Sequence, residues 1–327
     1  MRVPYPWLQS AWQRLLTTRV RPAQALLLAG PHGIGKTALA QAWAHALLCE
    51  APLADGAACG SCPACHWLEK GAHPDFRLLT LQEKTSKEGE TKLAAFIEVD
   101  QAREVVDFVQ LSTYRAGFRV VLVNPANSLN LAAANALLKV LEEPPLNTVI
   151  VLVSDQPRQL LPTIRSRCTQ LNLGLPASQD AIQWLTDQQI ESPATLLALA
   201  GGAPLDALSW NEGENLAERQ MILDGLAHPG RLDPVSLADD WKAIRTQTWH
   251  AVAYKWLGDL LAARLHSRVQ FNHDFKSDLA KLGAEVNLSK LLDLIRAHAT
   301  DGRTLTHPLN RVLQQESWLI QYRNLFD

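Results

Sequence analysis

The chain has 327 residues, of which 47% are apolar, and a formal net charge of −2. At about 100 to 200 residues per domain, that length and apolar share suit two or three domains with substantial cores. The near-neutral charge excludes a global positive field that would draw the whole protein to nucleic acid or anionic membranes, so any DNA contact has to be local or shared with partners.

The opening run MRVPYPWLQSAWQRLL (1–16) has no apolar core of signal-peptide type, and no segment approaches about 18 continuous apolar residues. The expectation is a cytoplasmic protein with no membrane partner. A first strand is predicted at 25–29 (ALLLA), a short continuous apolar run of the kind buried on both faces of a parallel sheet. It leads directly into GPHGIGKTALA (30–40), where Gly30, Gly35, Lys36 and Thr37 complete G-x-x-x-x-G-K-[ST] and Gly33 lies inside the loop. A helical pattern follows at once, KTALAQAWAHALL (36–48), and this strand-loop-helix context is what the motif requires. Such a loop turns backbone N–H groups inward at a helix N-terminus and holds phosphates by geometry. Lys36 would reach the β and γ phosphates and Thr37 would ligate Mg²⁺, which makes ATP the candidate ligand.

Next, Cys49, Cys59, Cys62 and Cys65 form C-x₉-C-x₂-C-x₂-C. Thiolates this close can share one tetrahedral Zn²⁺ at about 2.3 Å, and four of them leave no open position for water, so the metal would be structural. His66 and His73 lie nearby and leave a mixed site open, as free thiols are also open; Cys168 reads as a packed core thiol. The charged segment QEKTSKEGETK (82–92) lacks periodicity and reads as a solvated surface loop. A helix is predicted over 99–111 and a second buried strand over 119–123 (RVVLV). That strand ends in Asn124 and Pro125, where a carboxylate for magnesium is expected. Proline cannot ligate metal or orient water, and asparagine supplies no negative charge, so nucleotide binding can survive where hydrolysis should not.

The helix LNLAAANALLKVLEEPP (129–145) is stopped by two prolines, and a third strand (148–153) ends at Ser154. Alternating strands and helices at this spacing predict an α/β domain over 1–173 carrying the cysteine module at 49–65. Beyond LGLP (173–176) the strand signal disappears: a small helical unit is expected over 174–211, and a Trp-rich helical domain over 212–327, with breaks at HPGRLDP and DGRTLTHP. Trp241, Trp249 and Trp256 fall near one helix face, which suits core or subunit packing, with an aromatic ligand box as the alternative.

Two stretches narrow the reading. ANALLKVLEEPP (134–145) followed by PTIRSRC (162–168), after a phosphate loop with a cysteine cluster, resembles the bacterial clamp-loader subunits of the AAA+ class. IEVDQAREVVDF (97–108) and HPLNRVLQQESWLIQYRNLF (307–326) resemble segments of the same family, so the likeness covers essentially the whole chain. It implies a P-loop AAA+ domain with an inserted zinc module, a small helical lid and an all-α collar that holds a hetero-oligomer together. Arg167 would then be an arginine finger acting in a neighbour's ATP site, where a fixed guanidinium is worth roughly 10³ to 10⁵ in rate. Ser154 would occupy the place of a polar γ-phosphate sensor. Leu205 stands where active motor subunits carry a sensing arginine, and leucine cannot contact phosphate.

The implied role is that of a stator in DNA replication, helping DNA polymerase III to load the sliding clamp onto primed DNA while its own site holds nucleotide at most. The implied partners are the loader's ATPase subunit (gamma/tau) and its delta subunit, with the clamp and primer-template DNA met through the complex. An active motor subunit of the same loader is the nearest alternative and conflicts with Asn124, Pro125 and Leu205. An unrelated P-loop kinase or GTPase lacks support, since no guanine-reading Asn-Lys-x-Asp pattern occurs. The cysteine segment is acidic and alanine-rich with a single Lys, which disfavours a nucleic-acid-binding zinc ribbon.

Overall fold

The computed structural model describes residues 5–85, 91–114, 117–211, 215–301 and 311–326. The chain divides into two compact units, Met1–Asp180 and Ala181–Asp327.

The first unit alternates helices and strands: α1 (Gln9–Thr17), β1 (Ala25–Ala29), α2 (Lys36–Leu48), α3 (Pro63–Glu69), β2 (Phe76–Leu79), β3 (Glu83–Thr85), β4 (Thr91–Leu93), α4 (Val99–Gln110), β5 (Arg119–Val123), α5 (Leu131–Glu142), β6 (Thr148–Ser154), α6 (Pro162–Arg165) and β7 (Thr169–Asn172). Five strands form a parallel sheet in the order β2-β5-β6-β1-β7. Every residue of β1, β5 and β6 is buried, as central strands covered on both faces must be. Ala29 lies opposite Ser154 and Val123 opposite Leu152, so β1 and β6 end level and β5 two residues earlier, at the carboxyl edge where ligand crevices of parallel sheets form.

Local chemistry sets the helix limits. Glu98 and Gln101 form a reciprocal capping box at the start of α4, and the Asn130 side chain accepts the Ala133 N–H at 2.8 Å to cap α5. Pro144 and Pro145 follow α5 and prevent its continuation. Leu27, Val121, Leu137 and Leu152 meet in a core that α4 and α5 cover. At its rim Arg119 is almost fully buried. Its guanidinium pairs with Asp75 at 3.4 Å, donates to the carbonyls of Val109 and Ser112, and lies 4.8 Å from the Phe108 ring centre.

The charged stretch 82–92 differs from the surface loop expected: β3 and β4 pair there as an antiparallel hairpin, with residues 86–90 outside the described residues. Backbone hydrogen bonds between short polar strands make this ladder, and they leave no apolar periodicity to read.

The second unit is helical: α7 (Ser178–Asp187) runs into it, followed by α8 (Pro193–Leu199), α9 (Pro204–Asn211), α10 (Asn215–Leu226), α11 (Pro234–Asp240), α12 (Thr246–Arg264), α13 (Lys276–Glu285), α14 (Leu288–Asp301) and α15 (Arg311–Arg323). The sequence break at 301–308 falls almost wholly outside the described residues. One apolar cluster gathers Ala181, Leu185, Leu196 and Leu197; a larger one is built around Trp241, Trp249, Trp256 and Trp318. The tryptophans flagged by spacing are therefore core side chains, although Trp241 lies in a short turn ahead of α12 and does not share that helix with Trp249 and Trp256. Trp256 Nε1 donates to the Tyr322 hydroxyl at 2.8 Å, which donates in turn to the Leu226 carbonyl at 2.8 Å, linking α10, α12 and α15. Asp259 accepts the backbone N–H groups of Gln270, Phe271 and Asn272, and Arg219 pairs with Asp274 at 2.7 Å. Between α12 and α14, His250 and His298 stack at 3.9 Å, and each ring Nε2 donates to the other residue's carbonyl. No helix among the described residues is long and apolar enough to cross a membrane.

Candidate functional site

The loop after β1 has the backbone that its glycines predict. Gly33 and Gly35 take φ of 70° and 90°, left-handed values that other residues adopt only at a cost, and Gly35 leads into the first turn of α2. Gly30 is needed for a different reason: a Cβ there would stand 2.1 Å from the Leu173 carbonyl oxygen. A Cβ on Gly35 would fall 2.4 Å from the Tyr5 ring. Tyr5 stacks on Trp7 with ring centres 5.2 Å apart, and Trp7 Nε1 donates to the Ile34 carbonyl at 2.9 Å. An aromatic pair thus braces the loop, a role that the run PYPW does not announce.

Lys36 is present but engaged. Its side chain is only 3% exposed, and its Nζ donates to the Pro31 carbonyl and pairs with Asp155 Oδ1 at 2.5 Å. Asp155 directly follows Ser154 at the end of β6, so the register of β1 against β6 delivers this carboxylate to the loop. Sequence reasoning did not single out Asp155; its position one residue past the sensor-like Ser154 is the signal that could have found it. Thr37 Oγ1 donates to Asn124 Oδ1 at 3.4 Å, so asparagine stands beside the hydroxyl expected to ligate magnesium. Ser154 is fully buried; its hydroxyl donates to Asn127 Oδ1 at 3.3 Å and accepts the Gln156 N–H at 3.1 Å. Gly30, Gly33, Gly35, Lys36, Thr37 and Ser154 therefore gather at one carboxyl edge. In this arrangement the Lys36 charge is already countered by Asp155.

Arg167 lies between α6 and β7, and its partners are not on the phosphate loop. Nη1 donates to the Thr163 carbonyl at 2.9 Å, and Nη2 forms an ion pair with Glu142, the last residue of α5. With 31% of its side chain exposed, the guanidinium is held by two partners and still reaches solvent.

The four cysteines form a second, separate constellation. Their Sγ atoms all lie within 4.8 Å of one another, with Cys49–Cys62 and Cys59–Cys65 at 3.9 Å. A tetrahedron with metal–sulfur bonds of about 2.3 Å has edges of about 3.8 Å, so the donors fit zinc. Cys59 N–H points to Cys49 Sγ and Cys62 N–H to Cys59 Sγ, both at 3.3 Å. N–H donors from Ser61 and Cys62 pull the Cys59 thiol down to about 6, whereas burial pushes Cys65 up to about 12 and raises Cys49. Deprotonating the buried pair calls for a cation, and bound zinc would supply the charge and the staple. His66 faces Glu69 and His73 accepts the Asp75 N–H, so neither joins the cluster.

A sequence profile of the family described as "DNA polymerase III, delta subunit" matches residues 8–176. The chain is similar to DNA polymerase III subunit delta' of Pseudomonas aeruginosa, with 37% identity over 98% of each chain. It is also similar to the subunit delta' of Escherichia coli K12, with 33% identity over 88% of this chain and 85% of the other. Among solved structures, a gamma-subunit-related protein of Thermotoga maritima aligns over 98% of this chain and 100% of its own, with 16% identity and a TM-score of 0.43.

Proposed function

The chain belongs to the DNA polymerase III subunit delta' family, and from that premise we propose that it works as a stator of the clamp loader, donating Arg167 to an ATPase neighbour without hydrolysing ATP itself. The observation that carries this reading is the contact of Thr37 with Asn124 at 3.4 Å, where catalysis needs a carboxylate to hold magnesium. Lys36, already paired with Asp155, supports a site that binds nucleotide weakly at best. Zinc held by Cys49, Cys59, Cys62 and Cys65 has a structural part, stapling the segment after α2.

Arg167 suits action in trans because Glu142 and Thr163 orient it while part of its side chain stays accessible. Preorganisation of this kind is what transition-state stabilisation requires of a guanidinium. On this reading the helices over 174–211 act as a lid and those over 212–327 as a collar, the chain is cytoplasmic, and the gamma/tau and delta subunits are its partners. The clamp and primer-template DNA are engaged through that complex.

The test is clamp- and DNA-stimulated ATP hydrolysis by the reconstituted loader, with native chain and with Arg167→Ala, beside the isolated chain. The substitution is expected to lower turnover of the complex by about 10² or more, and the isolated chain to be silent. Hydrolysis by the chain alone would restore the motor reading. A complex that assembles with Arg167→Ala and hydrolyses normally would remove the finger.

A further inference from the structure

In the second unit, a groove of about 970 Å³ opens between the C-terminal end of α12, the turn after it and one face of α13. Its floor is made of small or buried apolar residues. Gly283 is obligatory there, since a Cβ would stand 2.9 Å from Ala263 backbone and side-chain atoms, and this close approach sets the depth of the trough. Ala280 and Ala284 continue the α13 face without filling it.

The rim is cationic. Arg264, Arg268 and Lys276 line it together with His266 and His273, and among the described residues no acidic one does. Among the described residues, none of the three fixed cations has an ion-pair partner, and the buried Nε of Arg264 has no acceptor. Three neighbouring acids have partners elsewhere, Asp259 in backbone N–H groups, Asp274 in Arg219 and Asp278 in the approach of Lys281 at 3.7 Å, while Glu285, exposed next to Ala284, is not among the residues that line the groove. His266 takes the left-handed position that ends α12, with φ of 55°, where glycine would be less strained. Arg264 alone could be explained as complementing the helix dipole in the last turn of α12. That explanation does not extend to Arg268 and Lys276, which lie beyond that helix and close the same rim.

We propose that this groove docks an acidic segment of a partner polypeptide that carries a large apolar side chain. Charge complementarity selects the acids and sets orientation, while the apolar floor takes the anchor. Nucleic acid is the poorer fit. Single strands bind through cations interleaved with stacking aromatics, and among the described residues no Trp, Tyr or Phe lines this surface.

The probe is a fluorescein-labelled peptide of alternating Leu and Glu, titrated against the full chain by anisotropy. A Leu/Lys peptide and oligothymidylate serve as comparators. The acidic peptide is expected to bind about tenfold or more tightly than either, and Arg268→Glu/Lys276→Glu to weaken it about tenfold. Ala280→Trp, which fills the floor without touching charge, is expected to weaken it about fivefold or more. Arg268→Gln/Lys276→Gln should lose an intermediate amount, and it guards against misfolding of the reversed pair. Equal binding of the acidic and basic peptides, or acidic binding indifferent to these substitutions, overturns the proposal. Oligothymidylate binding that is tighter and is lost with the same two cations would assign the groove to nucleic acid instead.

Discussion

Replacing Asp155 with asparagine removes the carboxylate that pairs with Lys36 while keeping the shape of the side chain. Unit charges at the observed 2.5 Å attract by about 6 to 7 kcal/mol at an effective dielectric constant near 20. Most of that is returned when the pair opens, because Asp155 is 31% exposed and regains water on release. A net cost on the order of 1 to 2 kcal/mol is left for any ligand whose phosphates take Lys36, with added repulsion between Asp155 and those phosphates. Asp155→Asn is therefore expected to tighten binding of Mg-ATP by the isolated chain about 5- to 30-fold, measured by titration with a fluorescent ATP analogue. Lys36→Ala in the same background should remove the gain. Hydrolysis should stay absent, since Asn124 is untouched. An affinity unchanged or weakened by Asp155→Asn in a folded protein would refute the reasoning, a weakening by showing that Asp155 assists the nucleotide instead of competing with it.

The purified chain is expected to carry about one zinc, released by strong chelators with a fall in melting temperature and largely lost in Cys62→Ser; a metal-free native chain with an unchanged melt would remove the staple. Burial holds His298 at about 4, against an ordinary value of 6.5, so the unfolded chain takes up a proton that the folded one refuses. This contribution is full above pH 6.5 and is lost as pH falls towards 4, by roughly 2 kcal/mol at pH 5. Urea unfolding at pH 7.5 and pH 5 should thus show a smaller acid loss in His298→Gln than in native protein, and equal losses would count against the assignment. Asp75→Ala leaves Arg119 buried without its counter-ion and should cost on the order of 3 to 5 kcal/mol in urea unfolding; a cost below about 1 kcal/mol would mean that backbone carbonyls alone satisfy the guanidinium.

The central strands were legible because burial on both faces demands uninterrupted apolar runs, as ALLLA and RVVLV have. Edge strands escape that demand. In β7, TQLN buries only Leu171, and in β2, FRLL exposes Arg77 and Leu78, so neither stands out from a loop. The cysteine cluster could be read because its donors are close in sequence and its chemistry restricts residue type. The phosphate loop could be read because its glycines are set by backbone geometry. Partners brought in by tertiary packing could not: Asp155 meets Lys36, and Glu142 meets Arg167, across chain separations that local spacing does not report. Tyr5 and Trp7 likewise reach the loop through a contact that no motif encodes.

The hydrogen-bonded relay from Trp256 through Tyr322 to the Leu226 carbonyl bears on how the protein is made. Two of its three members are synthesised well before Tyr322, and Trp318, Leu319 and Leu325 belong to the same buried cluster. During translation α10 and α12 therefore wait with an open apolar seam until the residues of α15 leave the ribosome. The first unit has no such dependence, because β7, the last strand of its sheet, is complete at Asn172. Nascent chains should consequently acquire the α/β unit first and spend the rest of synthesis with the helical unit unsealed, the interval in which chaperone capture or premature association is favoured.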